Sequence, residues 1–216
     1  MNWLAENLGT IWDLTLTHVA LAVPAVVASL VLSIPLGRLA HARPRLGRPL
    51  LSGLALVYAI PSLPLLIMVP VVLGTGLRSA VNMVVVLTLY GVAILVGQCA
   101  RAFSDLPSDA LASADAMGMG HFRRFGTIEL PLALPVVMSG LRVVAASTIS
   151  LVTVGAVVGV RSLGTLFTDG FQRGIIVEII AGVLLTLGLA LVLDLTIVGL
   201  TRMLTPWRRA GTGGAA

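Results

Sequence analysis

The sequence predicts an all-α polytopic membrane protein with about five transmembrane helices, its N-terminus outside and its C-terminus in the cytoplasm. Composition is the first reason. Of 216 residues, 57% are apolar and 11% charged, with a mean hydropathy of +1.05. A soluble domain carries about 25% charged residues, so this chain could not cover its own surface in water. The second reason is a set of apolar runs that reach the roughly 20 residues needed to cross about 30 Å of hydrocarbon. The third is the placement of arginine, which collects in cytoplasmic loops.

The chain opens with Trp3 and Trp12, which fit interfacial aromatic anchors, as does Trp207 near the other end. Glu6 and Asp13 stand where a signal peptide would carry basic residues, so no cleaved leader is expected. The first span is expected at about Leu14 to Gly37 and contains Pro24 and Pro35. A connection with Arg38, Arg43, Arg45 and Arg48 follows, then a second span at about Leu50 to Leu73 with Pro61, Pro64 and Pro70. Proline removes a backbone donor and kinks helices. These spans are therefore either broken helices lining a path or bent packing helices. The third span is expected at about Ala80 to Ala100, the fourth at about Leu132 to Val158, and the fifth at about Ile175 to Met203.

With five spans, ten arginines fall on one face: four in the first connection, Arg101, Arg123 and Arg124 between spans three and four, and Arg202, Arg208 and Arg209 at the end. Arg78, Arg161 and Arg173 fall on the other. The arginine-rich face is assigned to the cytoplasm. Residues 1–206 form one membrane domain without an internal repeat, and 207–216, ending Gly-Thr-Gly-Gly-Ala-Ala, form a flexible tail.

Several classes are excluded or weakened by what the chain lacks. All fourteen basic residues are Arg. Without Lys there is no P-loop, so any ATP that drives this protein is bound by another subunit. The net charge of +5 sits at span ends and implies no nucleic-acid partner. Cys99 is the only cysteine and lies in an apolar run, which suits a small packed hydrophobe. His18, His41 and His121 are scattered, so no metal site is expected. A secondary carrier is disfavoured by the absence of an inverted repeat. An intramembrane hydrolase would have to use Ser139 and His18, which no motif supports.

Between spans three and four lies a polar island, about 105–130. Asp105 is a candidate helix cap and Pro107 suits a first turn. Gly118 can end the helix in a left-handed conformation. A helix from about Pro107 to Met117 is expected, followed by a second piece from about His121 that stops before Pro131. Leu111, Ala114 and Met117 recur at three-residue spacing and form a small apolar face. Such a face suits a partner's groove; the alternative is an interfacial helix with Arg123 and Arg124 near anionic membrane lipid.

The island reads Ala112-Ser113-Ala114, three residues, Gly118, nine residues, Ile128-Glu129-Leu130-Pro131. This resembles the EAA loop of ABC-importer permeases, whose pattern is E-A-A, three residues, G, nine residues, I-x-L-P. The resemblance implies the ABC type I importer permease fold. It also implies a cytoplasmic loop whose short helix, through Ala112, Ser113, Ala114, Met117, Gly118, Ile128, Leu130 and Pro131, docks on a separate ATPase subunit. The family's Glu is Ala112 here, so any bond it makes is lost unless Asp109 or Asp115 replaces it.

Further stretches resemble the permeases of osmoprotectant importers: Ile60-Pro61-Ser62-Leu63, Leu89-Tyr90, Met117-Gly118-Met119, Glu129 through Pro135, Gly140-Leu141-Arg142 and Leu163-Gly164. Ile94 and Arg161-Ser162 depart from the pattern. The resemblance implies import of quaternary ammonium solutes such as glycine betaine, across a bacterial inner or plasma membrane. Implied partners are ABC ATPase subunits, a second permease subunit and an extracytoplasmic substrate-binding protein. This chain would bind no cofactor and have no catalytic residue; ATP and Mg would be used by the ATPase.

Within the spans, Arg142 and Asp194 lie at comparable depth, about 13–17 Å from the same face at 1.5 Å per residue. An unpaired charge there is costly. They are expected to pair or to face a water-filled path, a structural pair pinning two helices being the other reading. Tyr58 and Tyr90 are the only tyrosines and both lie in spans. They are the remaining candidates for the translocation path, although no aromatic cage can be read from the sequence.

Overall fold

A computed structural model describes residue 3 and residues 6–207. Arg208, Arg209 and the rest of the tail lie outside the described residues. Helix α1 spans Leu8–Ala42, α2 Pro44–Ala59, α3 Ser62–Leu73, α4 Ala80–Ser104, α5 Ser108–Ala116 and α6 His121–Arg124. A π-helical turn, Phe125–Glu129, leads into α7, Leu130–Gly155. A 3₁₀ turn at Ala156–Val158, α8 at Gly164–Arg173 and α9 at Ile176–Leu204 complete the order. Among the described residues, four helical stretches are long and apolar enough to cross a membrane, and α2 with α3 make a fifth if that bent pair is one span.

The core lies where α1, α4 and α7 meet. One cluster holds Val26, Leu95, Cys99, Val137, Leu141 and Val144; another holds Leu21, Ala25, Met83, Leu87, Ile149 and Val152. The helices approach closely because small residues face one another. A Cβ on Gly37 of α1 would sit 2.3 Å from the Cys99 Cβ and 3.0 Å from the Ala100 nitrogen of α4. Without an aqueous hydrophobic drive between helices, such close packing is a main source of cohesion in a bilayer. Helix α9 packs on α7 and α8 at the periphery, and its Leu184, Leu187, Leu191 and Leu195 face outward, as suits lipid contact.

Several expected boundaries are corrected. Helix α1 runs through Pro24 and Pro35 for 35 residues without a break. At about 52 Å it exceeds the hydrocarbon thickness and carries Arg38 beyond it. Of the two readings of the second span, broken or merely bent, the helix is broken at Ile60 and Pro61, where the axis bends by 108°. Pro61 lacks an N–H and holds Ile60 extended, at φ −67° and ψ 130°, so the helix cannot continue.

Asp105 caps nothing in α5. It terminates α4, its N–H donating to the Arg101 carbonyl at 2.9 Å, and Pro107 occupies the position before α5. The helical piece from His121 does not stop before Pro131. The Leu130 N–H donates to the Phe125 carbonyl five residues back. That wider π turn passes the chain into α7, with Pro131 in its first turn where a donor is dispensable. Helix α8 was not expected; Leu163, Leu166 and Gly170 bury its inner side, while Phe171 stays exposed.

Candidate functional site

The island forms a compact unit at one end of the bundle. Gly118 adopts φ +67°, a conformation open to glycine at little cost. The Met119 N–H reaches back to the Ala114 carbonyl at 3.1 Å, closing the end of α5 in the manner of a Schellman motif. Ala112, Ser113, Met117 and Gly118 are exposed; Ile128, Leu130 and Pro131 are half-buried. The Leu111, Ala114, Met117 face is not free as a unit, because Ala114 is fully buried against the chain itself. Met117 is 64% exposed, and Phe122, which the sequence reading did not single out, is 91% exposed. Two large apolar side chains thus project from a polar loop.

An ionic chain fixes this loop to the bundle. Asp115 Oδ1 accepts from Arg124 Nη1 at 2.6 Å, and Arg124 Nε donates to Glu129 Oε1 at 2.8 Å. Glu129 Oε2 accepts from Arg38 Nε on α1 at 2.9 Å. The Arg38 guanidinium also lies 4.4 Å from the Phe125 ring centroid, and Phe125 stands 6.0 Å from Phe103 of α4. Glu129 is buried, and two guanidiniums offset the loss of its hydration. Arg38, Arg124 and Glu129 were missed as partners because Arg124 and Glu129 are five residues apart, a spacing that shares a face only in a π turn.

A second feature is the outward face of α7. Ser139, Arg142, Ala146 and Ser150 are exposed at three- to four-residue spacing, so they form one stripe. The structure brings Arg142 and Asp194 together: Nε donates to Oδ1 at 2.6 Å and Nη2 to Oδ2 at 2.8 Å. The Arg142 side chain remains 48% exposed and that of Asp194 30%. Beside them is a cavity of about 500 Å³ lined by Ser139, Arg142, Thr201 and Arg202.

Further along the same stripe, Ala146 and Ser150, with Ser147 beside them, line a cavity of about 620 Å³ together with Tyr58, Tyr90 and the break at Ile60 and Pro61. The two tyrosine rings meet edge to face, with centroids 5.9 Å apart and planes at 74°. The Tyr90 hydroxyl donates to the Ile60 carbonyl. The tyrosine pair and Arg142 line different cavities.

No hydrolytic dyad is formed. The Ser139 hydroxyl donates to the Val136 carbonyl at 2.7 Å, and His18 is wholly buried with both ring nitrogens unpartnered. Among the described residues, no three side chains of metal-ligating type cluster.

The fold matches a chain of the MetNI methionine ABC transporter in an inward-facing form, with a TM-score of 0.79 at 19% identity, covering 90% of this chain and 96% of that one. Among curated relatives, the osmoprotectant import permease protein OsmW of Salmonella typhimurium is 31% identical over 209 residues, 95% of this chain and 97% of its own. The choline transport system permease protein OpuBD of Bacillus subtilis is 30% identical, over 99% of this chain and 93% of its own. The glycine betaine/carnitine/choline transport system permease protein OpuCD of the same organism is 29% identical, over 96% and 90%. The model of the binding-protein-dependent transport system inner membrane component matches residues 19–210. With a matching all-helical fold and close to its whole length shared with permease proteins, this chain belongs to the family of binding-protein-dependent transport system inner membrane components.

Proposed function

We propose that this chain is the permease subunit of an ATP-driven importer for quaternary ammonium osmoprotectants such as glycine betaine. The observation that carries the solute class is the agreement of relatives aligned over nearly the whole chain, which are permeases for osmoprotectants, choline, and glycine betaine with carnitine. The chain is a transport component and not an enzyme; ATP is bound and hydrolysed by a separate subunit.

In this reading the end of the bundle bearing α5, α6 and the ionic chain is cytoplasmic, and the N-terminus is outside. The arginine distribution supports that orientation. Met117 and Phe122 seat in the ATPase, since large apolar side chains held out from a polar loop suit a partner's groove. Asp115 takes the place of the missing Glu by tying α5 to Arg124 rather than to the partner.

The α7 stripe lines the translocation path in a twofold or pseudo-twofold pair of permeases. Exposed Ser and Arg side chains in a spanning helix are poorly served by lipid and call for water or protein. An extracytoplasmic binding protein delivers the solute at the opposite end. Closure of the ATPase dimer on ATP then moves the loop, and through Glu129 and Arg38 the motion reaches α1. The test is reconstitution of the permease with its ATPase and binding protein in liposomes. Uptake of labelled glycine betaine that requires ATP and all three components supports the reading; uptake by the permease alone under an ion gradient contradicts it.

A further inference from the structure

The aromatic corner at the broken second span bears on how the solute passes through the permease. We propose that Tyr58 and Tyr90, together with the hydroxyls of Ser147 and Ser150, form a low-affinity stopping site for the quaternary ammonium solute within the membrane domain. This rests on the substrate class proposed above.

The chemistry of the solute and the geometry of the corner support the assignment. A quaternary ammonium donates no hydrogen bond and spreads its charge over methyl groups, so aromatic faces are its best partners. The two rings stand at 74° to each other and both line one cavity. The bond from the Tyr90 hydroxyl to the Ile60 carbonyl fixes that ring, so the corner is formed before the solute arrives.

The cavity's chemistry is also selective. Among the described residues, none that lines it is charged. A compact, strongly hydrated cation would find no carboxylate there to offset the loss of its water, whereas a diffuse cation loses little hydration on entry. Ser147 and Ser150 provide hydroxyl donors for a carboxylate or hydroxyl at the solute's other end.

The break itself explains why the site lies here. Ending α2 at Ala59 frees carbonyls of its last turn. Within a membrane, such irregular backbone is tolerated where it is buried in protein or lines a water-filled cavity. At about 620 Å³ the cavity falls in the usual size range of small-molecule sites, roughly 300–1,000 Å³. Two rings rather than a closed cage, with Tyr58 53% exposed, favour passage over retention.

The experiment uses the full complex in liposomes, with ATP and labelled glycine betaine. Residue 58 is replaced by Phe, Trp and Leu, and by phenylalanines of increasing ring fluorination, which weakens the ring's hold on a cation with little change in size. Phe and Trp should sustain transport. Leu should slow it by about two- to thirtyfold, the range of a cation–π contact, and the logarithm of the rate should fall steadily with fluorination. Equal transport by Tyr58→Leu, or a flat fluorination series in an active wild-type complex, overturns the site alone. A wild-type complex that imports another solute and no quaternary ammonium overturns the substrate class, and this site's ligand with it.

Discussion

Arg38 and Glu129, 91 residues apart in sequence, are joined by a 2.9 Å bond from the guanidinium Nε to the carboxylate. The same carboxylate holds Arg124, which holds Asp115 of α5. The loop that would meet the ATPase is therefore wired to the longest helix of the bundle.

Glu129→Gln should weaken the folded protein by about 1.5–3 kcal/mol, the worth of hydrogen bonds to charged groups, and should uncouple the complex. The check is ATPase activity with and without loaded binding protein. Basal hydrolysis should persist and its stimulation should be lost. Arg38→Lys should not restore coupling, because a lysine cannot both stack on Phe125 and present the planar guanidinium. Full stimulation in both variants would remove the ionic chain from the coupling route.

Phe122→Ala should loosen the ATPase by about 2 kcal/mol or more, the scale of a buried aromatic anchor at an interface. Gly118→Trp should abolish association while the chain still inserts. A Cβ at Gly118 meets nothing within 4 Å among the described residues, so the indole would obstruct the partner, apart from strain at the positive φ. Gly118→Asn separates the two effects, since asparagine tolerates the left-handed region. Co-purification of the ATPase measures all three; normal recovery with Phe122→Ala and Gly118→Trp would argue against docking at this loop.

Asp194→Asn should abolish most transport, because it leaves Arg142 without its carboxylate. The exchange Arg142→Asp with Asp194→Arg should recover part of it if mutual pairing is what matters. Replacing both by apolar residues separates structure from path: a complex that assembles but does not transport favours a path role. Normal transport by that double variant would leave the pair without one.

Gly37→Val should destabilise the bundle by about 1–3 kcal/mol, as overpacking does, since even a Cβ collides with Cys99 and with the α4 backbone. Thermal unfolding of the detergent-purified protein reads this directly. An unchanged midpoint would mean that α1 and α4 are not packed as described.

Much of the fold was legible in the sequence because hydropathy, span length and proline each carry physical meaning on their own. The broken second span was open between two readings, and Pro24, Pro35 and Pro61 show why. The first two are accommodated inside α1, whereas Pro61 follows an extended Ile60 and breaks the chain's axis. At the loop, Gly118 was legible from backbone chemistry. Ala114 was misread as part of a free face, because helical spacing does not say which neighbour fills it. The Arg124–Glu129 pairing was hidden by the π turn, which no residue spacing announces. The Tyr58–Tyr90 corner joins α2 to α4, a tertiary meeting that spacing along the chain does not announce.

The most direct test of the central claim is uptake of labelled glycine betaine, choline and carnitine at high osmolarity by cells with and without this gene. The predicted result is loss of uptake of at least one of these solutes on deletion, restored when the gene is returned. Unchanged uptake of all three, in cells with no other route for them, would contradict the assignment of a quaternary ammonium importer.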